Sequence, residues 1–201
     1  MKLKSETLSY VLKTLLGVLL VLAVLDLAGS LVYAASESFY AEHLMDWNDK
    51  ISLTLAVLYL AVIVIYLVWI YVVHGDLNRL IPDYPRSPGK SLACMLIPIY
   101  NFYGVPSTFM IMGNQAQAHA IHKEGKRISG LAFPLILLFF MKYASNRLIN
   151  GNIDEPSSAL YIFDGVVTVT MYAVFYSLTV SIAQALLQLN SRDKEENVLS
   201  R

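Results

Sequence analysis

Residues 51–73 read ISLTLAVLYLAVIVIYLVWIYVV, twenty-three positions without a charged side chain. At 1.5 Å of rise per residue, a helix of this length crosses the hydrocarbon core of a bilayer, about 30 Å thick, once. Three further apolar runs, at 10–35, 128–148 and 159–189, are long enough to do the same. The sequence therefore predicts an all-α, polytopic integral membrane protein built as a helical bundle.

Composition supports the same class of protein. Of the 201 residues, 56% are hydrophobic and 15% are charged, whereas soluble domains have about 25% charged residues. Four or five spans occupy most of the chain, so we expect residues 1–201 to form a single membrane domain. The formal net charge of zero argues against nucleic acid as a partner, because phosphate binding needs a concentrated basic surface. Cys94 is the only cysteine, which excludes an intrachain disulfide, and we expect no cofactor.

The first apolar run follows three lysines, at positions 2, 4 and 13, and so resembles the start of a secretory signal peptide. Its hydrophobic stretch is about twice as long as the usual core of such a peptide. We therefore expect residues 10–35 to be a retained first span.

Residues 91–113, SLACMLIPIYNFYGVPSTFMIMG, leave the topology open. The segment is apolar enough to span, but Pro98 and Pro106 each remove a helix hydrogen bond, and Asn101 lies between them. It can therefore be a fifth span, or a Pro-broken re-entrant or interfacial segment that enters and leaves on one side.

The distribution of lysine and arginine favours four spans, because these residues are retained on the cytoplasmic side. If residues 91–113 enter and leave on one side, twelve of the fifteen basic residues lie on that side, together with both termini. The three opposite them are Lys50, Lys142 and Arg147. If the segment spans, the same residues divide eight to seven and give no orientation. We therefore expect four spans with both termini cytoplasmic, with five spans as the alternative.

Three charged side chains lie well inside the predicted spans, away from the helix ends: Asp26, Lys142 and Asp164. In the four-span arrangement they lie roughly 13, 9 and 8 Å below the outer helix ends, so they form one intramembrane charged layer. Charges at this depth are costly and are nearly always paired or face a polar cavity. The layer is either a structural ion pair with a spare carboxylate, or a proton- or cation-binding site with a titrating member.

The stretch with Pro98, Asn101 and Pro106 is a second candidate, a broken-helix polar site. Its freed backbone carbonyls need protein or water as partners, since lipid cannot donate a hydrogen bond. Such breaks can line an ion or solute site. In the other interpretation, Asn101 merely caps a kink against a neighbouring helix.

His119 and His122 lie three residues apart and could share a helix face. Without further clustered ligands the two histidines are weak evidence for a metal, and we predict none. We interpret this stretch as amphipathic, with basic side chains that contact anionic lipid headgroups: Lys123, Lys126 and Arg127. The lipid bilayer is therefore the expected partner on this side.

A pattern in residues 60–117 resembles an uncharacterised family of small bacterial membrane proteins, a domain of unknown function. The pattern consists of Trp69, Asn78, the turn Ser87-Pro88-Gly89, Ile97-Pro98-Ile99, Asn101 and Pro106. The resemblance implies a multi-pass protein of the bacterial inner membrane with about four spans. It implies neither a substrate nor a catalytic residue.

No motif names a reaction: a Ser/His/Asp set, a Gly-rich phosphate loop and HExxH are all missing from the sequence. We predict no catalytic residue, and an intramembrane enzyme is the least favoured class. The leading expectation is a structural or partner-binding membrane module that contacts itself or another membrane protein. The alternative is a small transporter or channel that uses the charged layer and the broken helix. A water-accessible cavity joining the layer to Asn101 would favour transport, whereas a dry, fully paired layer would favour the module.

Overall fold

The computed structural model describes residues 3–97, 101–151 and 157–199, without the side chains of Asn101 and of residues 196–199. These ranges form seven helices and no strand. The helices are α1 (Glu6–Ala35), α2 (Glu37–His43), α3 (Met45–Leu80), α4 (Pro88–Leu96), α5 (Asn101–Ala118), α6 (His122–Ile149) and α7 (Ser158–Leu199). Four of them, α1, α3, α6 and α7, are long and apolar enough to cross a membrane, and each contains one predicted span. The prediction of an all-α protein with four transmembrane helices is confirmed.

Two contacts fix the direction of α1 relative to its neighbours. At its start, the backbone N–H of Ser5 donates to Asp76, near the end of α3, at 2.9 Å. At its other end, the ring of Tyr33 lies 6.4 Å from that of Tyr161, near the start of α7. Helix α1 therefore runs antiparallel to both α3 and α7.

The end of α7 meets the start of α6. Arg192 donates to the carbonyl of His119, just before α6 begins, at 2.9 Å. The starts of α1 and α6 and the ends of α3 and α7 thus share one side of the bundle. We call this side the N-terminal face and the opposite side the far face.

Helices α4 and α5 form a hairpin that enters the bundle and returns to the N-terminal face. A Cβ added at Gly104 in α5 would lie 2.8 Å from the Cβ of Cys94 in α4, so the two helices almost touch. Phe102, at the start of α5, packs against Phe139 and Phe140, deep within α6, with ring centroids 6.2 and 5.1 Å apart. Since α3 ends and α6 begins on the same face, the described parts of the hairpin between them, residues 88–97 and 101–118, are re-entrant. This geometry excludes the five-span alternative.

Local sequence explains where the hairpin begins. The hydroxyl of Ser87 accepts a hydrogen bond from the backbone N–H of Lys90 and so caps α4. Pro88 occupies the first turn of α4, where its fixed φ suits a helix and its missing N–H costs nothing. Gly104 lacks the Cβ that would separate α5 from α4.

The break in the hairpin is narrower than predicted. Helix α4 ends at Leu96 and α5 begins at Asn101, while Pro98 lies outside the described residues. Pro106 lies inside α5 and does not end it. One proline removes a single helix hydrogen bond, and membrane helices tolerate that loss where neighbouring groups satisfy the freed carbonyl.

The connection between α1 and α3 contains the short helix α2. Ser36 caps it by accepting from the backbone N–H of Phe39. The ring of Tyr40 in α2 packs edge-on against Tyr33 at 5.4 Å, which fixes α2 on the end of α1.

The helices neighbour one another in a ring of order α1, α3, α4, α5, α6 and α7, and α7 closes the ring by packing on α1. Fully buried side chains such as Trp69, Phe109 and Leu178 fill its centre. Helix α4 has only nine residues, so it joins α3 to α5 in the half of the bundle near the N-terminal face. In the far half α3 and α6 are separated by a gap.

Candidate functional site

Lys142 and Asp164 form an ion pair between α6 and α7. The ammonium nitrogen lies 2.8 and 2.7 Å from the two carboxylate oxygens of Asp164, and 2.8 Å from the hydroxyl of Thr168. The hydroxyl of Ser145 also donates to Asp164. A lysine ammonium has three N–H donors and here has three acceptors. Both charges of the pair are therefore compensated within α6 and α7.

Asp26 has a partner outside the Lys142–Asp164 pair. Its carboxylate accepts a hydrogen bond from the hydroxyl of Ser52, which lies in α3 at a similar depth. The predicted layer of three charges thus divides into an ion pair between α6 and α7 and a carboxylate–hydroxyl pair between α1 and α3.

A partly open cavity of about 370 Å³ lies inside the ring of helices and includes the space between α3 and α6. Lys142 and Asn146 line the end near the far face, and Phe102 and Val105 of the hairpin line the other end. The remaining walls come from α1, α3, α4, α6 and α7: Leu16, Leu19, Tyr59, Val62, Ile63, Tyr66, Leu67, Met95, Phe139, Tyr143, Met171, Tyr172 and Phe175. The cavity is therefore aromatic and aliphatic along most of its length.

Pro106 of the predicted broken-helix polar site does not line this cavity, but the adjacent residues Phe102 and Val105 do. Pro98 and the side chain of Asn101 lie outside the described part of the chain, so their role stays a prediction. Pro106 is buried within α5. The hairpin residues that line the cavity, Phe102 and Val105, are apolar.

The positions that carry the family resemblance hold the hairpin and its neighbouring helices together. The indole N–H of Trp69 donates to the hydroxyl of Ser9 at 2.8 Å, which joins α3 to α1. The amide of Asn78 donates to the carbonyl of His74 at 2.7 Å and to that of Arg86 at 2.9 Å. Asn78 thus fastens the connection before α4 to the end of α3.

Arg86 extends this fastening to α5. Its guanidinium donates to the hydroxyls of Thr108 and Ser107, the latter at 3.3 Å. Ser87, Pro88 and Gly89 follow directly and start α4. The role of Arg86 was not predicted from the sequence, because its contact with α5 exists only when the hairpin folds back toward residue 86.

Two further buried polar groups near the N-terminal face were also missed. Asp76 is 1% exposed and caps α1 from a neighbouring helix, with Arg79 at 3.7 Å. Tyr84, in the connection between α3 and α4, packs edge-on against the ring of His74 at 5.7 Å. Burial raises the pKa of Tyr84, and the charge of Arg86 opposes that shift in part. The phenol therefore stays neutral at physiological pH.

His119 and His122 lie at the turn between α5 and α6. The Nδ1 of His119, which follows the end of α5, is 2.9 Å from the carbonyl of Gln115 in α5. Among the described residues, His, Cys, Asp and Glu form no group of three or more that could hold a metal ion.

Comparison of the chain with protein-family models, with curated proteins and with solved structures finds no match. The resemblance of residues 60–117 to the uncharacterised bacterial family stays a prediction.

Proposed function

We propose that this chain is a structural or partner-binding membrane module, not a transporter, a channel or an enzyme. The observation that carries the proposal is the ion pair of Lys142 with Asp164, whose ammonium has an acceptor for each of its three donors. A transport site needs a charged group that can exchange its partner for the transported ion. Here the charges are committed to bonds between α6 and α7.

The surroundings of the pair support the same proposal. Asp26, the carboxylate that could have been spare, has Ser52 as its partner on the adjacent helix α3. Aromatic and aliphatic side chains line most of the cavity beside Lys142. Such walls do not replace the hydration shell of an ion, so they favour an apolar partner.

We also propose that the protein is a multi-pass protein of the bacterial inner membrane, with its N-terminal face in the cytoplasm. Twelve of the fifteen lysines and arginines belong to segments on that face in a four-span chain. The positive-inside rule assigns this side to the cytoplasm. The bacterial source rests on the family resemblance alone.

A small transporter is the second candidate, because the cavity extends from Lys142 to Phe102, next to the break between α4 and α5. If the ion pair of Lys142 with Asp164 broke during a transport cycle, the cavity would connect the freed charges with the hairpin. The two functions differ in whether Asp164 supports ion flux.

Proton flux into proteoliposomes distinguishes the module from the transporter. Purified protein is reconstituted around a pH-sensitive dye, a proton gradient is imposed, and Asp164→Asn is compared with the exposed control Asp49→Asn. We expect the parent and both variants to leak no faster than empty vesicles. Proton flux in the parent and in Asp49→Asn that is lost in Asp164→Asn would overturn the module in favour of transport.

A further inference from the structure

We propose that the cavity between α3 and α6 binds one uncharged, single-chain amphiphile that enters sideways from the bilayer. The hydrocarbon chain would lie between the aromatic walls, and the polar head would lie beside Asn146 near the far face. This inference deepens the proposed function, because it makes a lipid the partner of the module.

The position of the opening indicates that the occupant comes from lipid. Helix α4 closes the ring of helices only in the half near the N-terminal face, so the far half is open between α3 and α6. Exposed side chains flank this opening: Tyr59 is 37% and Ile63 36% exposed on α3, and Tyr143 is 58% exposed on α6. All three also line the cavity. Because α3 and α6 are both spans, the opening faces the hydrocarbon of the bilayer.

The walls suit a hydrocarbon chain. Phe139 and Phe175 pack with ring centroids 6.2 Å apart, and Tyr59 and Tyr172 with centroids 6.1 Å apart. These contacts join α6 to α7 and α3 to α7, so the aromatic walls are fixed by helix packing. A volume of about 370 Å³ lies near the lower end of ligand cavities, which run from about 300 to 1,000 Å³. This size accommodates one chain and leaves the second chain of a diacyl lipid outside.

The bonding of Lys142 determines the charge of the head group. Lys142 lines the cavity, but the donors of its ammonium already contact Asp164 and Thr168. A carboxylate or phosphate head would have to compete with Asp164 for them, and would meet the negative charge of that residue. Asn146 lines the same end with an exposed amide that both donates and accepts. This end therefore favours a hydroxyl-bearing, uncharged head.

The test measures lipid retention by native mass spectrometry of the full-length protein in detergent. Three probes are added separately: monoolein (uncharged, one chain), oleate (anionic, one chain) and dioleoylphosphatidylcholine (two chains). Ile63→Trp places an indole in the opening, and Val64→Trp is its matched control, since Val64 is 61% exposed on the lipid-facing side of α3 and does not line the cavity. We expect one monoolein per protomer in the parent and in Val64→Trp, at least tenfold weaker binding in Ile63→Trp, and at least tenfold weaker binding of oleate and the diacyl lipid.

Equal retention of monoolein in Ile63→Trp and Val64→Trp would mean that monoolein binds only on the outer surface of the helices. That result would contradict binding in the cavity. Retention of oleate as strong as that of monoolein would overturn the uncharged head group. Neither result depends on ion flux. Lipid retention therefore tests the amphiphile site, and the flux experiment separately tests the proposed module.

Discussion

The side chain of Lys142 places an ammonium group within the span of α6, and insertion scales assign an unpaired lysine at the centre of a span a cost of about 2.5–3.5 kcal/mol. Asp164 and Thr168 of α7 accept from this ammonium, and the hydroxyl of Ser145 in α6 donates to Asp164. Since Asp164 accepts from both Lys142 and Ser145, removal of the lysine leaves a carboxylate with one hydroxyl donor at membrane depth.

The first prediction is that Lys142 and Asp164 are energetically coupled. Lys142→Met should destabilise the protein, and Asp164→Asn in that background should restore part of the loss, because the second change removes the uncompensated carboxylate. The coupling free energy should be about 0.5–3 kcal/mol in a double-mutant cycle of unfolding in detergent.

Asp26 provides the matched control, since its partner is Ser52. The effects of Asp26→Asn and Lys142→Met should add within about 0.3–0.5 kcal/mol, as for separate sites. Additivity of Lys142→Met with Asp164→Asn as well would contradict the ion pair.

The second prediction concerns the buried bond between Trp69 and Ser9, which joins α3 to α1. Ser9→Ala leaves the indole N–H without an acceptor and should cost about 1–3 kcal/mol in unfolding free energy. Ser30→Ala is the control, since its hydroxyl bonds only to a carbonyl of its own helix, at 3.3 Å, and it should change stability by less than about 0.5 kcal/mol. If the two substitutions lowered the unfolding free energy equally, the hydrogen bond between Trp69 and Ser9 would not have the stabilising role proposed for it.

At the scale of elements, the re-entrant hairpin of α4 and α5 depends on close backbone approach. Gly104 faces Cys94 of α4, and Gly113 faces Gly125 and Ser129 of α6, all with less space than a Cβ needs. Small residues thus let α5 pack between α4 and α6, as small residues do in other membrane helix pairs.

The third prediction tests this approach. Gly104→Ala should separate α5 from α4, because a Cβ would lie 2.8 Å from that of Cys94, and should lower stability by about 1–3 kcal/mol. Gly130→Ala in α6 has open space around it and should be neutral or stabilise by up to about 1 kcal/mol, the helix preference of alanine over glycine. Thermal unfolding in detergent measures both, and a neutral Gly104→Ala would contradict the close hairpin.

The fourth prediction concerns the fastening of the hairpin by Arg86. A lysine lacks the planar fork that reaches two hydroxyls, so Arg86→Lys should loosen α5 from the connection before α4. Hydrogen exchange should become faster in residues 101–110, while α1 stays unchanged. The control Arg79→Lys, at the end of α3, should leave exchange in residues 101–110 as in the parent.

The sequence predicted the elements better than their ends and contacts. Each apolar run marks a span, but α3 continues to Leu80, because its polar last turns pack on α1 and the connection instead of lipid. Helix α2 was not predicted, since its residues carry charge and no apolar run. Pro106 was expected to break a helix, and hydropathy gives no indication that neighbouring helices support α5 at that point. The partner of Asp26 depends on helix rotation, which the nearly uniform apolar sequence of α1 does not encode.

The whole molecule is a ring of helices that is closed by α4 near the N-terminal face and open toward lipid between α3 and α6. The re-entrant hairpin produces this asymmetry, because a fifth span would have filled the gap along its full depth. It also places the basic connections on one face, which is why the count of lysines and arginines predicted the topology before any contact was known. The cavity and the paired charges both depend on this arrangement.

The most direct test of this arrangement is the accessibility of single cysteines introduced on either side of the hairpin. In a Cys94→Ala background, Lys90→Cys lies before the return of the chain and Lys123→Cys after it, while Glu42→Cys in α2 marks the far face. All three positions are exposed. In intact cells an impermeant maleimide should label Glu42→Cys only, and permeabilised cells should show labelling of all three. Labelling of Lys123→Cys together with Glu42→Cys, while Lys90→Cys stays protected, would mean that residues 88–118 cross the membrane and would contradict the four-span account.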